Sequence, residues 1–353
     1  MKKTLFPLLL LFLLPGCAPK EVSQQFFAMD TTMTVTAYGP HAADAVADAQ
    51  REVFRLDGLF SRTRPQSDVA RLNANAGALP QGVAIDQDTG TLLAKAASIG
   101  GMTDGALDIT IAPIMDAWGF GAAGSFQDSE FRVPTQAELD GLLPLVDDDK
   151  LHVDGHALGQ LAWLDEPGMA VDLGAVAKGY TADVLSALLR ESGVESAVLD
   201  LGGNITAFGA KPNGSAWRVG VKDPRDPSAY FCVLALTDKT ASTSGAYERY
   251  FEEGGQTYHH IIDPATGYPA RTGLLSVTAV SADGTLADAL STACYVMGPD
   301  KALDFWRAHG DGSDGFELVL VADDGRVYVT EGLADGLDFL GEEAGYTYEI
   351  VRR

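Results

Sequence analysis

The chain has 353 residues, 46% of them hydrophobic, with 49 acidic against 25 basic side chains and a formal net charge of −24. That length and apolar content suffice for a large core, arranged as one big domain or two intimate lobes. The acidic excess is unrelieved by any Lys/Arg-rich block, which argues against nucleic-acid binding and leaves solubility as its plain role.

The N-terminus reads as a targeting segment rather than as part of the fold. Lys2 and Lys3 form a positive start, and an apolar run over residues 5–14, interrupted by Pro7, is too short to span a bilayer. It ends in Leu14-Pro15-Gly16-Cys17, which is similar to a bacterial lipobox, where small residues admit a peptidase and the Cys17 thiol carries lipid. An ordinary secretory signal with a chance cysteine is the alternative. The expected division is a signal peptide over 1–16, a lipidated N-terminus and polar tether over 17–25, and one folded domain over 26–353. That places the protein in the cell envelope, lipid-anchored on the periplasmic or extracytoplasmic face of a bacterial membrane. No later apolar stretch is long enough to cross a membrane. Cys232 and Cys294 lie in apolar runs and are expected as buried thiols, and no Cys/His spacing suggests zinc.

In chain order, residues 33–38 alternate as a strand and 42–60 repeat apolar residues at helical spacing. Ser67 is placed to cap a short helix containing Val69 and Leu72, and 89–99 reads as another helix. A glycine-punctuated stretch over 102–120 precedes a short helix at 135–143. Strands are expected at 156–163, 168–172 and 196–201, with a strong helix at 175–191. The second half predicts strands at 217–221, 231–236, 274–280, 318–322 and 327–330, a hairpin-like region over 247–262, and helices at 286–297 and 300–309. Helices and strands interleave without regular βαβ spacing, so the fold class is α+β, with mixed or antiparallel sheets and packed helices.

Four segments carry candidate chemistry. Asp288, Ser291 and Thr292 stand three and four apart on a predicted helix and share one face. A carboxylate with hydroxyls is a set of hard oxygen donors suited to Mg²⁺, although a small-residue packing face explains the same spacing. From Val171 to Tyr180 a strand runs into a helix through Gly174. The helix start offers free N–H groups to a phosphate, Lys178 a full charge, and Asp172 a ligand hydrogen bond or a cap. In the segment around His260, Asp263-Pro264-Ala265-Thr266-Gly267 marks a tight turn, and a histidine held beside it suits general-base work or is merely structural. Thr243-Ser244-Gly245-Ala246-Tyr247 reads as a hydroxyl-rich turn lining a phosphate or flavin pocket, or as the start of a strand.

Taken together and in order, these segments resemble the ApbE-type FAD:protein FMN transferases. The others are Met29-Asp30-Thr31-Thr32-Met33, Ser67-Asp68-Val69-Ala70-Arg71-Leu72-Asn73, Thr103-Asp104-Gly105-Ala106-Leu107-Asp108-Ile109-Thr110, Pro113 with Trp118-Gly119-Phe120, and Leu201-Gly202-Gly203-Asn204. The resemblance implies an ApbE-like, T-fold-like single large domain of two intimate lobes. It implies FAD contacts from Met29, Thr63, Ala106, Leu107, Asp108, Asp172, Lys178 and Ile262. Metal ligands fall on Ala175 through its carbonyl, Asp288, Ser291 and Thr292. His260 matches the proposed base, with Lys178 assisting the phosphates. Asp30 departs from the family's usual glycine, which would permit positive φ or close ligand approach.

The implied reaction moves FMN from FAD, with Mg²⁺, onto a Thr or Ser hydroxyl of an acceptor protein and releases AMP. The implied acceptors are membrane redox-complex subunits of the Nqr and Rnf type and other secreted flavoproteins. Competing readings are a Mg²⁺-dependent FAD pyrophosphatase giving FMN and AMP, and a lipoprotein that binds flavin without chemistry.

Overall fold

The computed structural model describes residues 20–78, 82–121, 131–156, 159–312 and 315–353. The first half holds β1 (Glu21–Ala28), β2 (Thr31–Tyr38), α1 (Ala42–Phe60), α2 (Asp68–Ala74), β3 (Val83–Ile85), α3 (Gln87–Met102) and α4 (Ala112–Trp118). Next come α5 (Gln136–Leu142), β4 (Leu151–His156), β5 (Gly159–Leu164), α6 (Ala177–Glu191), β6 (Ser196–Asp200) and β7 (Asn204–Gly209). The second half follows with β8 (Trp217–Lys222), β9 (Tyr230–Leu236), β10 (Lys239–Gly245), β11 (Tyr250–Glu253), β12 (Gln256–His259) and β13 (Leu274–Ser281). It closes with α7 (Gly284–Met297), α8 (Pro299–His309), β14 (Phe316–Ala322), β15 (Arg326–Thr330), β16 (Leu337–Phe339) and β17 (Thr347–Val351).

The expected α+β class holds. A nine-stranded sheet in the order β1-β2-β6-β7-β10-β13-β14-β15-β17 forms the spine, antiparallel throughout except for the parallel β15–β17 edge pair. The smaller sheets are separate from it: β16-β9-β8 packs on one face of the spine, β3-β5-β4 packs on α2 and α3, and β11–β12 is a hairpin. One apolar cluster joins α1 and α6 to β1, β2 and β6. A larger one continues through α2, α3, α7 and α8. A third fills the space between the spine and β8–β9. Cys232 and Cys294 are buried free thiols, as their apolar settings predict.

The long amphipathic helices appear where their spacing places them, α1 with the expected ends. Side-chain caps start two of the short helices, one of them the Ser67 cap expected from the sequence. Ser67 accepts the Ala70 N–H at 3.0 Å, and Thr135 and Glu138 form a capping box on α5. Four expectations change. The single strand expected at 156–163 falls across the end of β4 and most of β5, which pair antiparallel. Residues 21–25, assigned to the tether, belong to β1. Its polar, largely exposed outer edge hides the strand from an alternation count. The strand expected at 168–172 is reduced to an isolated bridge, Ile111 with Ala170. There Asn73 takes a strand partner's place, its side chain donating to the Val171 carbonyl (3.0 Å) and accepting the Val171 N–H (2.7 Å). The hydroxyl-rich segment at 243–247 is not chiefly a turn: Thr243, Ser244 and Gly245 complete β10, in the middle of the spine.

Candidate active site

The site forms where α6 and α7 cross over the end of β10. Glycine makes the crossing possible. A Cβ on Gly179 would run into the Gly284 carbonyl and lie 2.6 Å from the Asp288 Cβ. The two helices then cap one another. Asp288 of α7, only 4% exposed, accepts the Gly179 N–H of the first turn of α6 at 2.8 Å. Asp183 of α6 accepts the Gly284 and Thr285 N–H groups at 2.6 and 2.9 Å and the Thr285 hydroxyl at 2.6 Å. Each carboxylate thus satisfies donors that a helix start leaves unpaired.

Around Asp288 the donors are oxygens. Its Oδ1 accepts the Ser242 hydroxyl at 2.8 Å, with the Lys178 Nζ 4.0 Å away. Ser291, fully buried, donates to the Asp288 carbonyl (2.8 Å) and pairs with Ser244 Oγ at 2.7 Å. The half-buried Thr292 stands 3.1 Å from the same Ser244 oxygen. Ser242 and Ser244 share one face of β10, while Thr243 points to the other and pairs with Thr278 at 2.8 Å. The Tyr180 N–H reaches the Val176 carbonyl (3.0 Å), and the Gly179 N–H turns to Asp288, so the Ala175 carbonyl receives no N–H from the helix. Carboxylate, hydroxyls and a free carbonyl make a set that fits a hard divalent cation. Among the described residues no group of three His, Cys, Asp or Glu gathers, so any cation site here depends on hydroxyl and carbonyl oxygens.

The approach to α6 is held from outside. Asp172 accepts the Gly174 N–H at 2.8 Å through one oxygen and pairs with Arg62 at 3.1 Å through the other. Arg62 also pairs with Asp116 at 2.6 Å. Lys178 Nζ lies 3.4 Å from the Gly174 carbonyl. The neighbouring Thr63 is exposed, in a turn organised by the Ser61 hydroxyl. The Asp172 N–H bonds the Ile109 carbonyl at 2.8 Å, which draws in the segment containing Ala106, Leu107 and Asp108. Leu107 is buried in the core, and Ala106 packs against it half-buried. The Asp108 carboxylate ties its own loop to the segment before β4, accepting Thr110 N–H (2.7 Å), Thr110 hydroxyl (2.6 Å) and Asp148 N–H (3.2 Å). Burial raises its pKa, and burial with Asp108 alongside pushes Asp148 up to about 7.

Met29 and Asp30 form the two-residue turn between β1 and β2, both left-handed at φ 47° and 57°. That geometry is the reason a glycine suits position 30, and Asp is among the few side chains that tolerate it. Asp57 accepts the Met29 N–H at 3.2 Å, and the Met29 sulfur lies 3.8 Å from the Thr181 hydroxyl of α6.

The two adjacent histidines have opposite fates. His259 is buried with both nitrogens committed, Nε2 to the Ala270 carbonyl (3.0 Å) and Nδ1 to the Ile261 N–H (3.3 Å). His260, half-buried by its own surface, has Nδ1 3.2 Å from the Arg249 carbonyl. A carbonyl only accepts, so Nδ1 carries the proton and Nε2 keeps its lone pair. Burial, then the Arg249 charge, pushes His260 down to about 3, and Lys178 acts in the same direction. Ile262 turns into a satellite core with Ile114, Trp118 and Leu139. Trp118 Nε1 donates to the Gly267 carbonyl at 2.7 Å, joining two segments far apart in the chain.

Sequence reasoning missed three groups here. Arg62 stands one position from Thr63 and carries two ion pairs. Asp183 lies five residues beyond Lys178 on α6. Glu248 has its carboxyl pKa raised by burial and opposed by Lys178, Arg249 and Lys222. Nothing in the sequence marked these three, whereas the Ser242-Thr243-Ser244-Gly245 stretch stands among the motifs that carry the family resemblance.

An α+β scaffold, a helix start and a cluster of hard oxygen donors, with a neutral histidine near Lys178, define the class: an enzyme equipped for phosphoryl-group chemistry. Residues 29–316 match the model of the ApbE family, and the chain belongs to that family. It is 34% identical over 332 residues to the FAD:protein FMN transferase of Treponema pallidum, covering 90% of this chain and 88% of the relative. It is 32% identical over 313 residues to the FAD:protein FMN transferase of Vibrio cholerae, covering 86% and 90%. Its fold is similar to the crystal structure of the ApbE protein from Thermotoga maritima, with TM-score 0.79 and 31% identity over 90% of this chain and 99% of the other.

Proposed function

We propose that this chain is a FAD:protein FMN transferase, moving FMN from FAD onto a Thr or Ser hydroxyl of an acceptor protein. The observation that carries the reading is the meeting of the α6 start with the oxygens of Asp288, Ser242, Ser244, Ser291 and Thr292. The FAD pyrophosphate would lie between that cluster and the turn at Gly174, with Met29, Ala106 and Ile262 along the flavin side.

Asp288, Ser291, Thr292 and the Ala175 carbonyl would hold Mg²⁺, which when bound supplies neutralisation of the diphosphate charge. Lys178 presents a point charge to the same phosphates. Asp172, fixed by Arg62, keeps the Gly174 turn in place. The acceptor hydroxyl oxygen bonds to the FMN-side phosphorus as the bond to the AMP phosphate oxygen breaks, and AMP leaves with that electron pair. The hydroxyl proton passes to His260 Nε2 and then to solvent. A low pKa keeps His260 neutral and accepting, and the arriving diphosphate charge strengthens it as a base in the complex.

At the N-terminus, Cys17 lies outside the described residues, and its lipid attachment in the cell envelope belongs to this proposal. Among the described residues no helix is long and apolar enough to cross a membrane. A tether at the membrane suits acceptors that are subunits of membrane redox complexes of the Nqr and Rnf type.

The test is in-gel flavin fluorescence after incubating the protein with FAD and a Thr-containing acceptor, with and without Mg²⁺. Covalently labelled acceptor that depends on Mg²⁺ supports transfer. FMN and AMP with no labelled acceptor would make the protein a pyrophosphatase, and unchanged FAD a flavin-binding protein.

A further inference from the structure

The spine has two ends, and the chain enters at one while the site opens at the other. β1 pairs with β2 from Glu21↔Tyr38 to Ala28↔Thr31. The registers carry this order inward. Tyr38 faces Ser196 and Ser196 faces Gly209, whereas Asn204 faces Ser242 and Gly245 faces Ser276. Met29, Gly202 and the Ser242–Gly245 stretch therefore share the site end, and Lys20, Tyr38, Ser196 and Gly209 share the opposite end. Eight strand residues separate the two ends by roughly 26 Å.

The point of entry is secured. The Lys20 carbonyl accepts the Gly39 N–H at 3.0 Å. Cys17 precedes Glu21 by four positions in the sequence, a reach of at most about 14 Å in a fully extended chain.

We propose that the entry end of the spine is a membrane-facing surface, so that a phospholipid bilayer lies against it and the site opens away from the bilayer. This rests on the lipid attachment at Cys17 proposed above. The local charge suits it. At the entry ends of β1, β2, β6, β7 and β10, Lys20, Arg190, Lys211 and Lys239 stand against Glu21, Asp44, Glu191, Glu195 and Asp238, a smaller acidic excess than the 49 to 25 of the whole chain. Arg190 lies over the Phe208 ring at 5.2 Å and Lys211 over the Trp217 ring at 5.7 Å, which keeps both cations at this surface. That smaller excess lessens the repulsion that the protein's overall negative charge meets at an anionic bilayer. The acceptor hydroxyl must then stand off the membrane on an extramembrane domain.

The experiment uses the full lipoprotein, purified from membranes and reconstituted in vesicles of phosphatidylethanolamine and phosphatidylglycerol. One dye is placed through Asn213→Cys, in the exposed turn just beyond β7, or through Glu252→Cys, on the exposed face of β11. Cys232 and Cys294 are buried, so labelling is confined to the introduced thiol. Energy transfer to a headgroup-linked acceptor dye should be at least about threefold higher from position 213, given the length of the strands between the ends. Equal transfer, or higher transfer from 252, overturns the orientation. Mass spectrometry of the N-terminal peptide separates the two ideas. An unmodified Cys17 removes the basis of the inference while leaving the transferase reading, tested on soluble acceptor, intact.

Discussion

Asp288 and Gly179 meet across the α6–α7 crossing, carboxylate to backbone N–H, at 2.8 Å. One side chain therefore caps a helix and stands at the centre of the oxygen cluster, so local stability and metal binding are coupled there. Replacing Asp288 with Ala leaves the Gly179 N–H and the Ser242 hydroxyl buried without an acceptor, at a cost of about 1–3 kcal/mol each in stability. Mg²⁺-dependent transfer should fall by about two orders of magnitude or more. Urea denaturation and the fluorescence assay check the two effects separately.

Gly179→Ala tests the crossing without touching a donor. The added methyl meets the Gly284 carbonyl and the Asp288 Cβ, so the helices must move apart, at about 1–3 kcal/mol. The Mg²⁺ concentration for half-maximal transfer should rise, while a melting curve shows a protein still folded. An unchanged Mg²⁺ requirement would show that the crossing does not set the cluster.

Arg62 should act on FAD through Asp172. With Arg62→Ala, Asp172 keeps the Gly174 N–H but loses its ion pair, and Asp116 loses its partner too. The expected result is a raised KM for FAD, with kcat changed far less, and partial recovery in Arg62→Lys, which keeps charge but not the fork. A fall in kcat alone would contradict a positioning role.

The histidines give a pH signature. His259 is pushed down to about 4, mainly by burial, and His260 to about 3. In the unfolded chain both titrate near the ordinary value of about 6.5. Between those values the unfolded chain binds more protons, so stability is full above about 6.5 and is lost as pH falls through the folded values. The buried His259 contributes a slope of at most about 1.4 kcal/mol per pH unit, and denaturation of His259→Gln should show a flatter fall from pH 6.5 to 4. The kcat/KM for FAD, which reports His260 in the free enzyme, should show no protonation limb near pH 6.5.

Asp30 holds a left-handed backbone at φ 57°. Asp30→Gly should stabilise the protein by up to about 1 kcal/mol, and Asp30→Val should destabilise it by about 1–2 kcal/mol. Chemical denaturation measures both. Equal stability of the two variants would mean that the turn relaxes to another conformation.

Much of this molecule is local and was readable along the chain. The apolar spacing of residues 42–60 and the Ser67 cap produce their helices because they act within a few residues. So does the grouping of Asp288, Ser291 and Thr292 on one helix face. The ordered motifs placed the chain in its family. Tertiary structure decided what those residues meet. Asp288 reaches Gly179, 109 positions away; Arg62 reaches Asp172, 110 away; Trp118 reaches Gly267, 149 away. No spacing rule relates such pairs, because their approach depends on how helices and strands pack. The same holds for β1, whose polar edge gives no periodic signal until β2 pairs with it, and for His259 and His260. Their neighbouring imidazoles differ in burial and in which carbonyls and N–H groups the fold brings to their nitrogens.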